Sequence, residues 1–332
     1  MHVEIPKAED LEEKVFSVHN EKEFASIALA LYHFQFHNNK VYHDYCTAIG
    51  RTPDVVSEIR EIPFLPIRFF KTHTVVSTTF HPQTIFQSSG TTNAVTSRHY
   101  VRDLALYEKS FLKGFRAAYG PPEHYCFQCL LPSYLEREGS SLVYMADRLI
   151  RASGHERSGF YLNNLEELAA NLEWLESVGQ KTILLGVTYA LLQFAENFGR
   201  PLSHTLVMET GGMKGKAKEL TRHEVYEMLK QHFGPAPVHS EYGMTELLSQ
   251  AYGQDGIFTS PPWMRIFLRD ETDPLSLQTE GTGAINVMDL ANIYSCCFIA
   301  TEDMGRLQAD GSFEVLGRMD NSDVRGCSLM VV

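Results

Sequence analysis

The chain has 332 residues, 44% of them hydrophobic, and 29 lysines and arginines stand against 41 acidic residues for a formal charge of −12. That balance excludes a nucleic-acid binder working through a basic face, and the acidic start Met1–Lys14 has no apolar core and so does not read as a signal peptide. No run of about 18 apolar residues occurs, which excludes a membrane-spanning helix. The length accommodates a sizeable core, in about two domains or one long α/β unit. Six cysteines, Cys46, Cys126, Cys129, Cys296, Cys297 and Cys327, without a secretory signal are expected as reduced cytoplasmic thiols. The Cys126–Cys129 spacing resembles half a zinc site, but it sits in an apolar stretch and has no second pair, so core packing is expected there.

In chain order, residues 10–50 read as helical, with Phe24, Ile27, Ala28, Leu31 and Phe34 on one face. Ile62-Pro63-Phe64-Leu65-Pro66-Ile67 follows, an extended linker enforced by its prolines. Thr84–Phe86 is a short strand, Asp103–Ala118 a helix, Cys126–Leu131 a buried strand, and Ser140–Ala152 a helix capped by serine. Asn164–Val178 is a helix starting from Asn163 or Asn164, Thr182–Val187 a strand, Tyr189–Phe198 a helix and Thr205–Glu209 a strand. This alternation, with near-continuous apolar strands, predicts an α/β fold of mainly parallel sheet covered by helices. A further helical pattern is read over Leu247–Tyr252. Beyond about residue 260, Ile285–Asp289, Cys296–Ala300 and Ser312–Leu316 predict short strands of a smaller β-rich lobe. The expected organisation is one unit with a helical segment and linker (1–80), an α/β core (81–260), and a β-rich lobe with tail (261–332).

Chemistry concentrates in short segments. Gln87-Ser88-Ser89-Gly90-Thr91-Thr92-Asn93 follows a strand and offers hydroxyl and backbone donors that suit a polyphosphate, although it reads equally as a polar turn. It is not a GxxxxGK[ST] loop, because no lysine follows at that spacing. Gly211-Gly212 closes a strand where a flat ring can approach the backbone, or where the chain simply turns tightly. Nearby Lys214, Lys216 and Lys218 read as a solvated helix start. In Tyr242-Gly243-Met244-Thr245-Glu246, the threonine suits a phosphate and the glutamate a Mg²⁺ oxygen shell, while both also suit a first helical turn. Asp303 and Arg318 each end an apolar strand, a place from which a carboxylate can take ribose hydroxyls.

Taken in this order, Ser88–Thr92, Gly211-Gly212, Tyr242–Glu246, Asp303 and Gly317-Arg318 resemble the adenylate-forming superfamily of acyl-CoA synthetases, luciferases and adenylation domains. Within it, Ile62-Pro63-Phe64 with Phe70-Lys71, Leu131-Pro132-Ser133-Tyr134 and Arg325-Gly326-Cys327-Ser328 are similar to the acyl-protein synthetases of bacterial luminescence. The resemblance implies ATP and Mg²⁺ as cofactors and a carboxylic, fatty acid as substrate. It assigns Ser88, Ser89, Gly90, Thr91 and Thr92 to the β- and γ-phosphates, Thr245 to the α-phosphate and Glu246 to Mg²⁺. Tyr242 would stack on adenine opposite Gly211 and Gly212, and Asp303 with Arg318 would hold the ribose. Cys327 is the implied acyl acceptor, with an acyl-accepting or reductase partner downstream; the residues alone fit a terminal strand with Leu329, Val331 and Val332 as well.

The pattern departs from the superfamily at Asn93, where glycine is usual, and at Thr96, near the usual lysine, with Arg98 available as a substitute charge. Few residues follow Arg318, so no mobile lid domain is expected. The competing expectations are an acyl- or aryl-CoA ligase of the phenylacetate type, a non-catalytic nucleotide-binding scaffold, and an acyltransferase that needs no ATP. Thr182–Gly186 and the Tyr189–Phe198 helix either line an apolar acid pocket or belong to the core.

Overall fold

A computed structural model describes residues 7–88, 95–133, 139–211, 220–270, 273 and 275–319. The helical N-terminal region resolves into α1 (Ala8–Val15), α2 (Glu21–Asn38) and α3 (Lys40–Ala48). Asn20 caps α2 through the Glu23 N–H and Asn39 caps α3 through the Tyr42 N–H, so the breaks fall where asparagine takes orphan amides. The proline-bounded linker contains β1 (Leu65–Pro66) and leads to the short helix α4 (Phe69–Thr72).

Next come β2 (Thr84–Gln87) and β3 (Arg98–Val101), an antiparallel pair separate from the main sheet. The α/β region then runs α5 (Leu104–Tyr119), β4 (Cys126–Leu130), α6 (Ser141–Ser153), β5 (Gly159–Phe160), α7 (Leu165–Ser177), β6 (Thr182–Val187), α8 (Thr188–Phe198), β7 (Thr205–Thr210), α9 (Arg222–Phe233) and β8 (Val238–Tyr242). The predicted serine and asparagine caps are in place: Ser140 accepts from the Val143 N–H and Asn164 from the Glu167 N–H. Helix α9 starts from a capping box in which Thr221 and Glu224 satisfy each other's backbone N–H.

Strands β5, β4, β6, β7 and β8 are neighbours in that order, and all pair in parallel. Side chains alternate across this sheet. Phe127, Cys129, Ile183, Leu185 and Met208 belong to the face covered by α5 and α6, whereas Leu130, Leu184, Val207 and Val238 pack under α7, α8 and α9. Burial on both faces explains why these strands read as continuous apolar runs. It also places Thr182–Gly186 and the apolar side of α8 in the core. Cys126 and Cys129 are three residues apart on β4, hence on opposite faces, and a single ion cannot reach both from one strand. Both are buried, and burial pushes both thiols up.

The last strands are β9 (Ala251–Gln254), β10 (Ile257–Thr259), β11 (Met264–Arg269), β12 (Leu277–Gln278), β13 (Gly281–Asp289), β14 (Phe298–Leu307) and β15 (Phe313–Arg318). They continue the same hydrogen-bonded sheet, because β9 pairs antiparallel with β8 and β10 joins β15. The linker strand β1 pairs in parallel with β14, so the proline segment is part of this sheet's framework.

The helix expected over Leu247–Tyr252 does not form; 245–250 is an irregular turn and Ala251 begins β9. A helix over Leu247–Tyr252 would return the Ala251 and Tyr252 N–H groups to Leu247 and Leu248, but those two residues pair with Tyr242 and Glu241 of β8. The Asp289 carboxylate accepts from the Leu248 N–H at 2.8 Å, the Ser249 N–H at 3.0 Å and the Ser249 hydroxyl at 2.6 Å. The carbonyls of Thr245 and Glu246 accept from His99 and Asn292 respectively. Side chains distant in sequence thus hold the irregular turn that leads into β9. Among the described residues, no helix is long and apolar enough to cross a membrane.

Candidate active site

The site gathers at the carboxyl ends of β7 and β8, the place where an open parallel sheet leaves room for a ligand. Thr210 and Glu241 are paired residues of these strands, so Gly211 and Tyr242 follow as the next neighbours. Gly211 has φ +73°, a left-handed conformation, and among the described residues a side chain there would meet nothing nearer than Val187 Cγ1 at 4.0 Å. Backbone geometry therefore favours glycine at this strand end.

Tyr242 is buried, and its hydroxyl donates to Asp303 Oδ2 at 3.0 Å. Its ring packs edge-on against Phe258 and Phe313, with centroids 5.9 and 5.5 Å away. Burial, followed by the nearby Asp303 charge, holds the phenol well above its ordinary range. Asp303 and Arg318 are cross-strand partners on β14 and β15, and the Arg318 Nε lies 3.7 Å from Asp303 Oδ1. Three of the expected residues, on three strands, thus form one contact group. A carboxylate oxygen can accept more than one hydrogen bond, so the chemistry of Asp303 suits ligand hydroxyls.

Thr245 and Glu246 follow two residues beyond Tyr242, after Gly243 and Met244, and Glu246 is buried. Ser88 stands at the mouth of the hydroxyl-rich loop. Its N–H donates to the Ser97 carbonyl at 3.1 Å and its Oγ accepts from the Ser97 N–H at 3.0 Å, which closes the loop's base. His99, two residues further on, donates from Nδ1 to the Thr245 carbonyl at 2.8 Å. The β2–β3 hairpin and the Thr245–Glu246 turn are therefore held side by side. Ser89, Gly90, Thr91, Thr92, Asn93, Gly212, the three lysines 214, 216 and 218, and Cys327 lie outside the described residues.

The sequence reading missed two buried carboxylates beneath the site. Glu209 accepts from the Thr188 hydroxyl and from Ser240 Oγ at 2.8 Å, and Arg222 Nη1 is 3.6 Å away. Tyr226 donates to that Ser240 oxygen at 2.6 Å. Glu241 accepts from the Thr210 hydroxyl. Burial pushes its carboxyl up to about 7, aided by the Glu209 charge and opposed by the Thr210 hydrogen bond. A side chain on Gly243 would sit 2.4 Å from Glu241 Oε1, so that glycine makes room for the carboxylate. The alternation of Glu209-Thr210 with Ser240-Glu241 on paired strand ends was the available signal.

A Mg²⁺ bound with a triphosphate takes most of its ligands from phosphate and water, so one protein carboxylate suffices. Glu246 meets that requirement; among the described residues no group of three or more His, Cys, Asp or Glu suggests a dedicated metal cage. The glycine backbone at Gly211 and the carboxylate of Asp303, which contacts Tyr242 on the neighbouring strand, fit a nucleoside. A separate cavity of about 700 Å³ lies between α1, the end of α2 and Tyr294, away from this group. Cys46, Cys296 and Cys297 are buried, with thiols pushed up by burial, and do not present a nucleophile here.

No family model matches the chain. A curated relative, the long-chain-fatty-acid–luciferin-component ligase of Vibrio harveyi, is 22% identical over 95% of this chain and 89% of its own length. A 2-hydroxyisobutyryl-CoA ligase solved in an open conformation with 2-HIB-AMP and CoA superposes with a TM-score of 0.63, covering 92% of this chain and 77% of its own at 13% identity. The same ligase in its thioesterfication state gives 0.63 over 92% and 70% at 14% identity. The fold is that of the adenylate-forming acyl-CoA ligases.

Proposed function

We propose that this chain, built on the adenylate-forming ligase fold, activates a carboxylic acid with MgATP and transfers the acyl group to its own Cys327. The observation that carries the reading is the contact of Tyr242, Asp303 and Arg318 beside Gly211, four positions that separately say little. The ligase name of the relative, which is similar along nearly the whole chain, supports a fatty acid as substrate.

Asp303 and Arg318 take the ribose hydroxyls, and Tyr242 with Gly211 and Gly212 borders the adenine. Ser88, Ser89, Gly90, Thr91 and Thr92 cradle the β- and γ-phosphates, and Thr245 meets the α-phosphate. Glu246 holds Mg²⁺, which neutralises phosphate charge. The acid's carboxylate attacks the α-phosphorus in line, the bond to the β-phosphate oxygen breaks, and pyrophosphate leaves. The Cys327 thiolate then attacks the acyl carbon of the adenylate, forming a thioester and expelling AMP. Arg325, two residues away, favours that thiolate. The thioester is passed on in the cytoplasm to an acyl-accepting or reductase partner.

Incubation with ATP, Mg²⁺ and labelled long-chain acid should leave a hydroxylamine-labile label on the protein. Cys327→Ser should lose the label and keep ATP–pyrophosphate exchange. Label that survives the substitution removes the acceptor assignment. Soluble acyl-CoA formed on adding coenzyme A, with no protein label, would make the chain an acyl-CoA ligase instead.

A further inference from the structure

His99 is buried, and both of its ring nitrogens face oxygens: Nδ1 the Thr245 carbonyl at 2.8 Å and Nε2 the Asn292 Oδ1 at 3.1 Å. The Asn292 amide cannot turn around without loss, because its Nδ2 donates to the Glu246 carbonyl at 2.7 Å. A backbone carbonyl only accepts, so the shorter contact fixes the hydrogen on Nδ1. His99 sits on β3 opposite Phe86, in the hairpin whose mouth is Ser88 and Ser97. Asn292 belongs to the loop after β13, whose Asp289 holds the N–H groups of Leu248 and Ser249. Two side chains therefore grip the consecutive carbonyls of Thr245 and Glu246, one from the hydroxyl-rich hairpin and one from the β13 loop.

We propose that His99 and Asn292 are positioning residues for MgATP, setting the distance between the end of the β2–β3 hairpin at Ser88 and the Thr245–Glu246 turn. The inference rests on reading this site as the nucleotide site. The phosphates must be met at once from the hairpin end and from the turn, and the turn, an irregular stretch, has no ladder of its own to fix it. A stable turn alone would need the Asp289 bonds only. The additional tie runs to the hairpin, and its effect is on what lies between hairpin and turn. The hydrogen bond that matters most is Nδ1–H to the Thr245 carbonyl, and an asparagine amide occupies nearly the Nδ1 position, whereas glutamine reaches toward Nε2.

The test compares wild type with His99→Ala, His99→Asn, His99→Gln and Asn292→Ala by direct MgATP titration and by ATP–pyrophosphate exchange at varied MgATP and varied acid. The alanine variants should weaken MgATP binding and raise its KM by about tenfold or more, the range for residues that orient a ligand-holding group. The KM for the acid should stay within about twofold of wild type on the same reasoning. His99→Asn should recover most of the loss and His99→Gln little. Equal loss for both substrates, or unchanged MgATP affinity in folded variants, overturns the positioning role. So does equal behaviour of asparagine and glutamine. Wild type that binds MgATP without exchange would refute the ligase reading and leave the positioning role standing on the titration. Wild type with no MgATP affinity would refute both.

Discussion

Strand β6 and the segment 245–249 are both interior, yet they satisfy their backbones by opposite means. Strand β6 pairs in parallel with β4 and β7 on either side, and its side chains only fill two apolar layers. The segment 245–249 has no ladder; its polar groups are met by Asp289, His99 and Asn292. The first arrangement is robust to the identity of any apolar residue of similar volume. The second depends on three particular side chains and supplies a fixed, irregular backbone beside the expected phosphates. Rigid scaffold and tied loop divide the work of folding and binding.

The comparison is broken most severely at Asp289. Asp289→Ala should cost on the order of 4 kcal/mol in urea unfolding, since it orphans buried N–H groups held by a charged acceptor. A loss under about 1 kcal/mol would mean that water replaces the carboxylate. Leu184→Ala tests the other region; a cavity under α7 and α8 should cost about 3 kcal/mol without changing MgATP affinity in the folded protein. Removing the Thr221 hydroxyl as Thr221→Ala should cost about 1 kcal/mol, by loss of the α9 capping box.

Glu241 sharpens the contrast through pH. Its folded carboxyl is raised to about 7 from the ordinary 4.5, so the folded state holds the proton more tightly than the unfolded chain. Stability from this group is present below the unfolded value and falls as pH rises through the folded value near 7. Glu241→Gln, which stays neutral, should flatten melting temperature against pH between those limits, and an unchanged slope would show that the group is ionised throughout. His99 runs the other way. Burial lowers its imidazole to about 4 against two opposing hydrogen bonds, so its contribution is lost as pH falls from the ordinary 6.5 toward that value.

The scaffold was legible because burial on two faces writes itself into sequence. Thr182–Val187 was read with its bounds intact, and Ser140 and Asn164 were read as caps from chemistry local to each helix. Helix α9 went unread although Thr221 and Glu224 carry a capping-box signature. The Leu247–Tyr252 helix was misread for a different reason: Ala251 and Tyr252 join the ladder of β8, and the side chains that hold the turn before them, His99 and Asp289, are far away in sequence and announced by no local pattern. In the site, Tyr242 and Arg318 were legible at strand ends. Asp303, read as closing a strand, lies inside β14 beside the irregularity at Met304/Gly305, because the ladder with β15 carries the strand on to Leu307. The structure brings the three together. Glu209 and Glu241 share that placement but looked like ordinary strand ends, because their meaning lies in the pairing of β7 with β8.

The central claim is that these dispersed strand-end and loop residues hold one nucleotide beside a carboxylic acid. Acid-dependent ATP–pyrophosphate exchange, measured for wild type and for Asp303→Ala, tests it most directly. The account predicts exchange that appears only with a suitable acid and falls by at least about a hundredfold in the folded variant, the scale of losing a charged partner to bound hydroxyls. Exchange undiminished in Asp303→Ala, or absent from wild type with every acid, would contradict it.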